Sequence, residues 1–82
     1  MTDRAHFAEM SRRLRAIRHA RRLTQAQLSV RADLGVYIIT MIEGYGAVYL
    51  RAERMTALAT AMGVTVDDVQ AEDWRARCGV PE

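Results

Sequence analysis

The side chains best able to do chemistry in this chain are its arginines, and they are unevenly placed. Residues 1–31 hold Arg4, Arg12, Arg13, Arg15, Arg18, Arg21, Arg22 and Arg31 against Asp3 and Glu9, a balance of +6. Residues 32–82 hold Arg51, Arg54, Arg75 and Arg77 against eight acids, a balance of −4. Guanidinium groups grip phosphates and carboxylates through paired hydrogen bonds. A basic half facing a polyanion, with an acidic half facing away, is one reading; a solvated helix face is the other. Catalytic groups are scarce. His6 and His19 stand thirteen apart with no matching cysteine or acid cluster, and no metal-ligand spacing, phosphate loop or nucleophile motif occurs. No enzyme, metal or cofactor is therefore expected, and both histidines read as surface residues. Cys78 is the only cysteine, which rules out an internal disulfide and fits a reducing, cytoplasmic setting.

Helices are needed to position these groups. The chain has 82 residues, half of them apolar, which is enough for one core and one domain. No apolar run is long enough to span a bilayer, and no secretory signal is expected in residues 1–10. Phe7, Met10, Leu14 and Ile17 recur at spacings of 3, 4 and 3, the stripe of an amphipathic helix capped by Thr2 or Asp3 and reaching about Ala20. Thr24 followed by Gln27 is a capping box, with Leu23 and Leu28 placed to staple it. That helix is short, because Asp33 and Gly35 interrupt it.

Residues 35–50 read two ways. Val36, Tyr37, Ile38, Ile39, Thr40 and Ile42 favour strands, and Glu43-Gly44-Tyr45-Gly46 resembles a hairpin turn. Alternatively, Gly35 caps a helix that buries Ile39 and Ile42 and stops at Gly44. Farther on, Met55, Leu58, Ala59 and Met62 form one face of a helix ended by Gly63, and Thr65 caps a final helix carrying Asp67 and Asp68 in its first turn. Val66, Val69 and Trp74 are placed to close the core. A core of about residues 7–70 is thus expected, with a tail at 71–82 whose end, from Cys78 to Glu82, frays.

The run Leu23-Thr24-Gln25-Ala26-Gln27-Leu28, then Ala32, Ile39 and Ile42-Glu43, resembles the Cro/C1-type helix-turn-helix domains of phage repressors and small bacterial regulators. Leu58-Ala59, Met62-Gly63-Val64 and Val66-Asp67-Asp68-Val69 resemble that family's closing segment. The resemblance implies an all-α, lambda-repressor-like bundle of five helices, whose third enters the major groove of double-stranded DNA. It also implies a homodimer on a palindromic operator and a role in regulating transcription. Residues 35–43 would then be helical. Arg18 and Glu43 match positions that form a buried ion pair in that family. Val36, Tyr37, Thr40 and Met41 match the base-reading positions. Thr24 and Gln25 match phosphate-binding positions, with Arg12, Arg15, Arg22 and Arg51 as further phosphate candidates.

The departures from that pattern lie where bases are read. Arginine and lysine read guanine, and asparagine and glutamine read adenine, yet residues 35–41 hold none of them. Gly35 replaces a small polar cap, Asp33 replaces a turn glycine, and the loop after the third helix reads Gly44-Tyr45-Gly46-Ala47-Val48-Tyr49-Leu50, apolar throughout. Either Val48 and Leu50 pack in the core, or they form an exposed apolar surface for a mate. An alternative function follows: an adaptor or antitoxin-like module that docks a protein partner on Val36, Tyr37, Ile38 and Met41.

Overall fold

The first helix follows from the stripe read in the sequence. In the computed structural model, which describes residues 3–82, α1 spans Asp3–Ala20 and buries Met10, Leu14 and Ile17, with Phe7 packed against them. The expected caps of α1, Thr2 and the side chain of Asp3, lie outside the described residues. Among those residues six helices follow one another without a strand: α1, α2 (Gln25–Ala32), α3 (Val36–Tyr49), α4 (Ala52–Ala61), α5 (Val66–Gln70) and α6 (Trp74–Cys78). The fold is all-α, with a Cα radius of gyration of 11.4 Å, close to the ~12 Å expected of a packed chain this long. No helix is long and apolar enough to cross a membrane.

Four helices end in the same way. After α1, Arg22 takes a left-handed φ of 57°, and the Leu23 N–H donates back to Arg18 at 3.1 Å. After α2, Asp33 takes φ 56°, and the Leu34 N–H donates to Ser29 at 3.0 Å. Gly63 and Gly79 do the same after α4 and α6. This closure satisfies carbonyls that the helix leaves open. Glycine adopts it freely and aspartate tolerates it, whereas arginine holds it at a conformational cost.

Within the segment 35–50, residues 36–49 are helical between extended Gly35 and Leu50, so the hairpin reading is set aside. Burial decides this: a helix places Ile39 and Ile42 in the core at 1% exposure each, and a helix inside the bundle supplies its own backbone hydrogen bonds. The expected stop at Gly44 is borne out as a break, after which a second helical stretch follows. The helix bends at Tyr45 (φ −141°, ψ 49°) and runs on to Tyr49. Gly46 is the reason the bend is useful. It lies against α1, where an added Cβ would run into the Ser11 side chain and approach the Phe7 carbonyl oxygen to 3.2 Å. Ser11 Oγ also donates to the Ile42 carbonyl at 2.5 Å. α1 and α3 therefore meet backbone to backbone, as helices do where a glycine stands at the crossing.

The C-terminal end is corrected: it forms α6, the sixth helix, with Trp74 and Cys78 buried. Arg13 and Arg75 hold their guanidinium carbons 5.2 and 4.7 Å from the Trp74 ring, an attractive placement for a cation over an indole. Arg13 Nη1 donates to the Val69 and Ala71 carbonyls, and Arg21 donates to the carbonyls of Met62 and Cys78. Arginines of α1 thus close the ends of α4, α5 and α6.

These contacts predict opposite outcomes at two glycines. Gly46→Ala is expected to cost about 1–3 kcal/mol through overpacking against α1. Gly44 faces open space, so Gly44→Ala should be neutral or stabilising by up to ~1 kcal/mol through helix propensity. Thermal denaturation of the two variants, at roughly 4–8 °C per kcal/mol, checks this.

Candidate nucleic-acid interface

The site grows from one buried ion pair. Arg18 lies on the apolar stripe of α1, one turn beyond Leu14, and points at α3. Its Nε donates to Glu43 Oε2 at 2.6 Å and its Nη2 to Glu43 Oε1 at 2.8 Å, with 10% and 9% of the two side chains exposed. The remaining nitrogen, Nη1, donates to the Leu23 carbonyl at 2.7 Å. The expected pair is therefore present, and it fixes the turn into α2 as well.

Glu43 carries the connection further. Gln25, first residue of α2, donates from Nε2 to Glu43 Oε1 at 3.0 Å. Its Oε1 accepts from the Thr40 hydroxyl at 2.8 Å, and the Val36 carbonyl lies 3.0 Å from the same hydroxyl. Arg15 Nε stands 3.9 Å from Glu43 Oε1 with its side chain largely exposed. Burial pushes the Glu43 carboxyl up, but the hydrogen bonds from Arg18 and Gln25 and the charges of Arg18 and Arg15 outweigh it and hold the group below 4.5.

The capping box stands as read: Gln27 N–H donates to Thr24 Oγ1 at 3.0 Å, and Thr24 N–H donates to Gln27 Oε1 at 2.9 Å. Helix geometry leaves the N–H groups of Gln25 and Ala26 without an intrahelical acceptor. The start of α2, the outer face of α3 and Arg15 consequently share one surface, a cleft lined by Arg15, Arg18, Gln25, Thr40, Glu43 and Gly44.

On α3, Val36 and Tyr37 are 47% and 65% exposed, Thr40 is exposed and Met41 is half-buried. Two expected ligands are already engaged: the Gln25 amide by Glu43 and Thr40, and the Thr40 hydroxyl by Gln25. Arg12 is exposed but donates to Glu9 at 2.7 Å. Arg22 is exposed at the left-handed turn. Arg51 lies elsewhere, at the start of α4, beside an open depression with Arg4, Phe7 and Leu50. The choice left open for residues 45–50 divides residue by residue: Gly46 and Leu50 are buried, while Tyr45 and Val48 are 62% and 53% exposed.

Sequence reasoning missed the inward roles of Ser11, Arg13, Arg21 and Gly46. For Ser11 the signal was there, since it falls one turn beyond Phe7 on the apolar stripe. No family model matches this chain, and neither a curated protein nor a solved structure matches it.

Glu43→Ala should destabilise the fold by about 3–5 kcal/mol, because it strands a buried guanidinium. An Arg18→Met/Glu43→Leu double variant should recover most of that loss in chemical denaturation. The pH dependence has a definite sign. A carboxyl held below its unfolded value stabilises the fold above about pH 4.5, and that contribution drains away as pH falls. Denaturation midpoints between pH 6 and 3 should therefore fall more steeply in the native chain than in Glu43→Gln.

Proposed function

We propose that this chain is a sequence-specific, duplex-DNA-binding transcriptional regulator that acts in the cytoplasm as a homodimer on a palindromic operator. The observation that carries the reading is the Arg18–Glu43–Gln25–Thr40 network. It locks α2, the tight turn at Asp33 and α3 into one unit, with the start of α2 and the outer face of α3 side by side. That arrangement suits a helix-turn-helix unit of lambda-repressor-like design. In it, α3 lies in the major groove with Val36, Tyr37, Thr40 and Met41 toward the bases. The free N–H groups of Gln25 and Ala26, at a helix N-terminus, take a phosphate beside them. Arg15 and Arg22 hold the phosphate chain near α2, and Arg12 and Arg51 do so farther out. Two-fold symmetry places half-sites about one helical turn apart.

Exposed apolar side chains on α3 favour a second reading, in which the same scaffold docks a protein. Tyr37, Tyr45 and Val48 all stand more than half exposed, and patches of this kind mark interaction surfaces.

Selection from a random duplex library by the purified chain, at near-physiological salt, separates the two. An enriched palindrome is the expected result. Its affinity should fall steeply with salt, and Arg15→Ala should weaken binding evenly across sequences while lowering the salt slope by about 1. A folded protein that enriches nothing transfers the assignment to a protein partner on α3.

A further inference from the structure

We propose that the α3 face recognises DNA chiefly through the 5-methyl groups of pyrimidines in the major groove, an inference that rests on the duplex-DNA reading above. Across Val36–Tyr49 there is no arginine, lysine, asparagine or glutamine, so the bidentate contacts that read guanine and adenine are missing from the whole helix. The polar groups nearby are already engaged. Gln25 is held at both ends of its amide, by Glu43 and by Thr40, and the Thr40 hydroxyl donates inward to Gln25 or to the Val36 carbonyl. The Thr40 methyl is left to touch a base. Val36 and Tyr37 stand exposed beside it, and Gly44, one turn on, has nothing in front of it. The surface offered is therefore mainly apolar, with the Tyr37 hydroxyl its one polar tip.

The occupant of this face is set by its border. Arg15 lines the cleft that Thr40 and Gly44 also line, and its side chain is 59% exposed. An apolar strip bordered by a guanidinium and by the free N–H groups of the α2 start matches a phosphate chain beside base edges. In the major groove the apolar feature on those edges is the pyrimidine 5-methyl group, carried by thymine or by 5-methylcytosine. A methyl group carries no hydrogen bond, so it is read by shape and by water expulsion, worth about fourfold in affinity each.

The test uses the pool enriched from the random duplex library, copied in three forms: with thymine, with uracil in place of thymine, and with 5-methylcytosine in place of cytosine. Fluorescence anisotropy titrations at fixed salt give the affinities. The uracil copy is expected to bind at least tenfold more weakly than the thymine copy, the loss of two or more methyl contacts. The methylcytosine copy tells the sources apart: tighter binding adds methylated cytosine to the recognised groups, and unchanged binding assigns thymine alone. Val36→Ser, a change at an exposed position, should shrink the thymine-to-uracil ratio about fourfold with no change in thermal stability. Equal affinity for the thymine and uracil copies, with salt-dependent binding retained, overturns methyl recognition and leaves the DNA reading standing. Absence of enrichment in the first place overturns both.

Discussion

A guanidinium and a carboxylate taken out of water together lose several kcal/mol of hydration each, and they tolerate it only where every remaining donor and acceptor is met. Arg18 and Glu43 meet that demand in a way that organises their surroundings. The third nitrogen of Arg18 requires the Leu23 carbonyl, which fixes the turn out of α1. Glu43 Oε1 takes a further hydrogen bond from Gln25, which fixes the start of α2. Gln25 in turn takes the Thr40 hydroxyl, which fixes the face of α3. One buried pair thus sets the mutual placement of three helices. Among the described residues no buried side-chain nitrogen or oxygen lacks a partner, the condition under which such a network rigidifies a fold.

The pair sits at one end of a longer contact. Two turns earlier on α1, Ser11 reaches the Ile42 carbonyl, and Gly46 lets the two backbones close on each other. α3 is held along its length, from Thr40 to Gly46. This explains how a run of β-branched residues stays helical: the helix is stabilised by what it packs on, since its own propensity is poor. It also changes the meaning of the arginine-rich first helix. Arg13, Arg18 and Arg21 spend their donors on Glu9, Glu43 and five backbone carbonyls, whereas Arg12, Arg15 and Arg22 face outward. The +6 balance of residues 1–31 is thus only in part available at the surface.

What could be read from the sequence was local. The stripe from Phe7 to Ile17, the capping box at Thr24, the cap at Thr65 and the turn at Asp33 all depend on residues within a few positions of each other. What could not be read depends on distant partners. Residues 45–50 look like a loop until Gly46 meets Ser11, thirty-five positions earlier. Cys78 looks like part of a frayed tail until Arg21 reaches over from α1 to its carbonyl, and Trp74, read as core, is covered there by Arg13. The pair Arg18–Glu43 was visible only as a match to a familiar pattern, because neither charge pattern nor periodicity joins residues twenty-five apart. Of the site, the positions on α3 were legible. The engagement of Gln25 and Thr40 with each other was not, since both side chains are also good ligands for DNA.

That engagement bears on how the surface can discriminate. A reading face built from Asn, Gln or Arg must hold those side chains in place with further hydrogen bonds, or lose rotamer entropy on binding. Here the polar residues are used for positioning, and the groups left outward are short or ring-shaped. Val36 is stiff at its first torsion, Thr40 is pinned by its hydroxyl, and Tyr37 has two torsions. Such a face loses little conformational freedom when it is covered. In exchange it has few directional contacts, so under the proposed function its selectivity would rest on shape and on phosphate placement rather than on hydrogen-bond pattern. On the proposed DNA-binding reading, rigidity of the Arg18–Glu43 network would be a condition of function as well as of stability, because apolar contacts reward fit only when the distance between face and phosphate anchors is fixed.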